Sequence, residues 1–161
     1  MEDRIKETVE RIVGEYLRPR NDMTLAAALR LCEGVKKKAA EMGVKAVVAV
    51  TNRGGNPVLV ECMDDSYIAS YDIALNKAFT VVSLKMPTSD LKTLAQPGAP
   101  LYGIQFTNQG KIVIFGGGEP LLNRAGEVIG GLGVSGGTED EDTALGRYGR
   151  ELFEKDGKAG L

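Results

Sequence analysis

The chain has 161 residues, 43% of them hydrophobic, and a formal net charge of −2. This length and apolar content suit one ordinary domain with its own core, and the charge gives no attraction for nucleic acid or an anionic membrane. There is no histidine, which removes Ser-His-Asp and Cys-His catalysis, histidine metal ligation and a histidine haem ligand from the chain's own repertoire.

Residues 2–17 are expected to form an amphipathic helix, because Ile5, Val9, Ile12, Val13, Tyr16 and Leu17 recur on one face. Arg18 to Asp22 reads as a linker, with Pro19 stopping the helix. Thr24 caps a second helix that reaches Met42 and stops at Gly43, its buried face expected at Leu25, Leu29, Cys32, Val35, Ala39 and Met42. Lys45–Thr51 is β-rich, Asn52 to Asn56 a turn, and Pro57–Cys62 the return strand. Residues 66–86 predict a long helix capped by Asp65 or Ser66. Ile68, Tyr71, Ile73, Leu75, Phe79, Val82 and Leu84 make it apolar on most sides, so it is expected to be buried on more than one face, in an oligomer interface or under a ligand. A short helix follows over Thr88–Leu94, then a rigid loop from Gln96 to Pro100. Strands are expected at Lys111–Phe115, Leu121–Asn123 and Glu127–Val134. Thr138 caps a last helix to about Lys155, whose first turn carries Glu139, Asp140, Glu141 and Asp142.

The expected fold class is therefore α+β, a five-stranded antiparallel sheet flanked by helices. Residues 1–22 form an appended helix and linker, and 23–161 the domain. No apolar run reaches the length of a membrane span, and the charged start has no secretory h-region, so a cytoplasmic location is expected. Cys32 and Cys62 read as small buried hydrophobes.

Residues 130–137, Gly-Gly-Leu-Gly-Val-Ser-Gly-Gly, satisfy two catalytic patterns on paper. The dinucleotide pattern needs a parallel strand afterwards and a helix start that attracts phosphate; here no strand follows and four acids open the helix. The hydrolase pattern needs a base, and no histidine exists to supply it. The glycines read instead as close packing of a core strand. The second cluster, Gly116, Gly117 and Gly118 before Glu119, lacks the Lys-Ser/Thr of a phosphate loop. It is either a bulged corner or bare backbone that admits a flat ligand or a neighbouring subunit. Asp64, Asp65 and Asp72 do not make a convincing metal site, and no metal ligand is assigned. Lys77, Lys85 and Lys92 lie on a solvated face, or one of them meets a ligand carboxylate at the rim of an apolar slot.

The order of these elements resembles the GlcG/HbpS-like haem-binding family, which includes the C-terminal domain of PduO-type cobalamin adenosyltransferases. The likeness runs through Thr24-Leu25, Val50 to Asn56, Met63-Asp64-Asp65, Ile73 to Thr80, Pro87-Thr88, Pro97-Gly98, Phe115 to Pro120 and Gly130 to Thr138, about residues 23–155 in all. It implies a profilin-like three-layer domain, a homo-oligomer, and a tetrapyrrole cofactor, haem or cobalamin. The cofactor-binding residues it implies are Met23, Lys77, Phe79, Thr80, Tyr102, Gly116, Gly117 and Gly118. PduO-type members carry a histidine haem ligand near the start of the domain; Arg18 to Met23 contains none. Met23, then Tyr67, Tyr71 and Tyr102, are the substitutes nearest to hand. Residues 1–17 resemble the encapsulation peptides of bacterial microcompartment cargo, which implies shell or cargo partners and a microcompartment lumen. The same helix could equally pack on its own domain or a sister subunit. Two other functions stay open: a small enzyme acting on an organic acid or aldehyde through Lys77, Asp72 or Glu119, and a ligand-free structural cargo protein.

Overall fold

Two hairpins build the sheet. In the first, β1 (Val47–Asn52) turns into β2 (Pro57–Cys62). Asn52 Oδ1 accepts the amides of Gly54 and Asn56 at 3.0 and 3.1 Å, and Gly55 takes φ +75°. The second joins β3 (Gly118–Leu122) to β4 (Val128–Ser135). The order is β2-β1-β4-β3, with every neighbouring pair antiparallel. This computed structural model describes residues 1–17 and 21–158, and for residues 15–17 and 158 the backbone alone. The expected stop at Pro19 and the side chains of Tyr16 and Leu17 lie outside the described residues.

Alternation along the strands sorts the side chains into two layers. Val48, Val50, Leu132 and Val134 join the core under α2 (Leu25–Glu41) and α5 (Glu139–Lys158). Val47 and Ala49 face Ala74 and Ala78 of α3 (Ile68–Leu84) on the other side. The result is helix, sheet, helix. Thr24 caps α2 through the Ala27 amide at 3.2 Å. At the head of α5, Thr138 and Glu141 bond each other's backbone amides, a reciprocal cap. The short helix α4 spans Thr88–Leu94.

The glycines of β4 explain how α3 comes so close. A Cβ on Gly133 would stand 1.9 Å from the Ala74 carbonyl oxygen, and one on Gly131 2.2 Å from that of Ala78. The helix backbone rests on bare strand.

Several expectations fail. The described residues contain four strands rather than five, because Lys111–Phe115 finds no partner strand. Its backbone is held by a side chain instead: Thr80 Oγ1 donates to the Lys111 carbonyl at 3.2 Å and accepts the Val113 amide at 3.0 Å. The Gly116–Pro120 corner is largely strand, since β3 begins at Gly118. Tyr67 rather than Asp65 or Ser66 is the N-cap of α3, and it makes no side-chain cap bond. Leu25 and Leu29 are exposed; Ala27, Ala28 and Leu31 take their place in the core. Cys32 is buried but Cys62 is exposed on the edge strand β2. The helix at residues 2–17, α1 (Glu2–Leu17), forms as expected and leaves Ile5, Val9, Ile12 and Val13 about half exposed.

Candidate functional site

The close contact between α3 and β4 ends one turn before the helix does. Ala74 still packs on the sheet, and the Ser135 hydroxyl donates to Ser70 Oγ at 3.0 Å. Beyond that, Tyr67 and Ile68 are 72% and 98% exposed, and Tyr71 is 50% exposed. A cleft of about 280 Å³ opens here. Its walls are the first two turns of α3 (Tyr67, Ala69, Ser70, Ile73), the ring of Phe115, the end of β4 with Gly136 and Gly137, and Glu139 and Asp142 of α5.

Lys77 ties these walls together from beneath. It is fully buried, and its Nζ donates to Asp142 Oδ2 at 3.0 Å and to the Val134 carbonyl at 2.8 Å. The same ammonium lies 4.9 Å from the centroid of Phe115. Burial pulls the Lys77 pKa below the ordinary lysine value and pushes that of Asp142 up, while each partner opposes the shift of the other. Asp142 Oδ1 also accepts the Gly137 amide at 2.9 Å. Glu139 accepts the Gly116 amide at 3.0 Å and Lys92 Nζ at 2.6 Å, and these two contacts hold its carboxyl below the usual range. The four acids at the head of α5 are thus in part structural: they satisfy amides around the cleft.

The glycine corner serves the same construction. Gly117, at φ +115°, leaves the space in which a Cβ would lie 2.6 Å from Lys77 Nζ. A Cβ on Gly116 would meet Thr143 Oγ1 of α5 at 2.0 Å. The amide of Gly118 donates to Thr88 Oγ1 at 2.9 Å. Bare backbone here admits the chain's own lysine and its own helix.

The structure brings Lys77, Gly116 and Gly117 together at the base of the cleft and disperses the rest of the expected set. Thr80 is buried and holds the 111–113 segment. Phe79 lies under the Gly55 turn, with Lys111 Nζ 5.4 Å from its ring. Tyr102 is exposed on the 96–115 loop. Met23 is buried against Gly130, at the opposite end of β4 from Ser135. Asp72 is exposed and bonded to Asn76 at 3.0 Å. Glu119 is buried and paired with Arg150 at 2.8 Å. Neither lines the cleft, so the three groups considered for enzyme chemistry do not converge. The described residues hold no cluster of three or more Cys, Asp or Glu placed for a metal ion. None of their helices is long and apolar enough to cross a membrane.

Sequence reasoning missed Phe115, Ser70, Ser135 and Asp142. One signal was available for Asp142: a lysine amid Ala74, Ala78 and Val81 must be buried, and a buried lysine needs an acid. The lining also bears on a flat apolar ligand. Ala69, Ile73 and Phe115 give it an apolar wall. The volume, about 280 Å³, lies just below the roughly 300–1,000 Å³ typical of ligand pockets. These residues fit part of a tetrapyrrole ring. Among the lining residues, Tyr67 alone is of a type that ligates haem iron.

Three comparisons place this geometry among known proteins. The profile of the family described as "Haem degrading protein HbpS-like" matches residues 23–151. An uncharacterized 15.0 kDa protein in the dhaT-dhaS intergenic region of Citrobacter freundii is 47% identical over 131 residues, 81% of this chain and 92% of that one. The corrinoid adenosyltransferase PduO of Salmonella typhimurium is 35% identical over 144 residues, which is 86% of this chain but only 43% of PduO. The crystal structure of the PduOC:heme complex superposes with a TM-score of 0.77 at 34% identity, covering 81% of this chain and 94% of that chain.

Proposed function

This chain belongs to the HbpS-like family, and from that premise we propose that it is a homo-oligomeric accessory protein that binds a tetrapyrrole, haem in the first instance. The observation that carries the reading is the apolar cleft beside α3, lined by Tyr67, Ile73 and Phe115, in a chain 34% identical to a protein crystallised with haem. Bound haem would supply redox or small-molecule ligand chemistry. The chain's own part is to shield a face of the ring with Ile73, Phe115 and Tyr67 and to hold that wall rigid through Lys77. Cobalamin is the second candidate ligand, supported by the corrinoid chemistry in the name of PduO; the shared part is less than half of PduO, so its transferase activity is not carried over.

Titration of the purified chain with haemin and, separately, with cobalamin tests this. Saturable growth of a shifted Soret band is expected, weakened at least about tenfold in Ile73→Glu. No shifted band and no retained corrinoid would leave a ligand-free cargo protein as the better account.

We also propose that α1 docks the protein inside a bacterial microcompartment. Its apolar stripe, Ile5, Val9, Ile12 and Val13, is exposed, and the helix lies outside the family match. Deleting residues 2–17 should abolish co-purification with shell proteins and leave haemin titration unchanged. Co-purification that survives the deletion removes the targeting role.

A further inference from the structure

The question left by the missing histidine is what holds the ligand. Met23 is 7% exposed and packed on Gly130 at the far end of β4. Cys32 is buried, its thiol directed at Glu61 at 3.5 Å and pushed up to about 12, chiefly by burial. Cys62 lies on the edge strand β2, outside the cleft lining. Lys77 is committed to Asp142 and the Val134 carbonyl. Tyr67 remains as the one lining residue of a type that ligates haem iron, and it is largely exposed. The cleft is poor in iron ligands and rich in flat apolar surface. One of those surfaces is fixed with unusual care, since Phe115 is held over the Lys77 ammonium.

Resting on the haem reading above, we infer that the cleft recognises the tetrapyrrole ring and not its metal. The ligand class is the planar porphyrins whatever their central atom, and the specificity-determining residue is Phe115. Affinity then comes from burial of apolar ring surface. Iron, when present, keeps its coordination open to small external ligands.

The test titrates the full chain with haemin, metal-free protoporphyrin IX and zinc protoporphyrin IX, followed by porphyrin absorbance and fluorescence. The three dissociation constants are expected to agree within about threefold. Phe115→Ala should weaken all three together by about tenfold or more. Phe115 lies on an irregular segment and is 38% exposed, so the fold should survive, checked by circular dichroism.

Haemin binding with metal-free protoporphyrin weaker by more than about tenfold overturns the inference and leaves the haem reading standing. So does porphyrin binding indifferent to Phe115→Ala. Failure of all three porphyrins to bind overturns the haem reading and the inference with it. The comparison between porphyrins is made on the unaltered chain, so it stands even where a variant does not fold.

Discussion

The two ends of α3 are packed in opposite ways. From Ala74 onward the helix rests its backbone on Gly131 and Gly133, and no side chain could be interposed. Before Ser70 it offers Tyr67 and Ile68 to solvent. One helix thus serves as the most constrained element of the fold and as an unpartnered apolar rim. The lesson concerns placement. A rim is a precise platform only if its helix cannot shift, and the glycine strand supplies that immobility from the neighbouring turns. Lys77 stands where the two regimes meet, below the cleft and within the packed half.

The largest effect expected is therefore at Lys77. Lys77→Met strands a buried Asp142 carboxylate and should cost about 3–5 kcal/mol in urea unfolding at neutral pH. Adding Asp142→Leu should recover part of that loss, because the charge left unpaired is then gone. A single-variant cost below about 1 kcal/mol would mean that water reaches the pair and that the cleft floor is not rigid. Gly133→Ala comes next. Its methyl must displace the Ala74 carbonyl, and overpacking of this kind costs about 1–3 kcal/mol, here expected near the upper end. If stability hardly changes, α3 can slide, and the contrast between its two ends disappears.

Most of the scaffold was legible from sequence because it is local. The Thr24 and Thr138 caps, the Asn52–Asn56 turn and the bounds of β2 and α4 each follow from a few neighbouring residues. Residues 111–115 misled because their β-like composition is used in an irregular run that a helix side chain, Thr80, holds in place of a strand. The exposed Leu25 and Leu29 misled for a related reason: small residues of α2 face the sheet, and alanine gives a weak periodic signal. The glycines at 116–118 and 130–137 were recognised as close approaches, but what approaches them is set by tertiary structure. The cleft was the least legible feature. Ser70, Phe115 and the Ser135–Asp142 stretch are far apart in the chain, and one observation, a lysine amid alanines, pointed to a buried acid partner.

A smaller effect distinguishes the cleft's acid wall from its apolar wall. Glu139 is held below its ordinary pKa by the Gly116 amide and Lys92. A carboxyl depressed in the folded state contributes stability above its unfolded pKa and loses it as pH falls through the folded value. With its side chain about a third exposed, the contribution is modest. Glu139→Gln should cost about 0.5–1 kcal/mol at pH 7. The difference from the unaltered chain should fade below about pH 4. A difference that stays constant down to acid pH would show that the charge does not carry it.

The smallest effect on stability is expected at Ile68, and it probes the rim most directly. At 98% exposure, Ile68 buries nothing in the folded protomer, so Ile68→Ala should alter unfolding by no more than about 0.5 kcal/mol. Where a bound porphyrin extends past Tyr67 onto the outer face of α3, its affinity falls by about threefold or more in this variant while the Tm of the ligand-free protein stays put. The two readouts respond to different partners of the side chain. If the ligand-free Tm drops and becomes dependent on protein concentration, a second copy covers Ile68, and the rim belongs to a subunit interface. If neither readout moves, the exposed end of α3 is inert, and the ligand must be held by Phe115 and Ile73 inside the cleft.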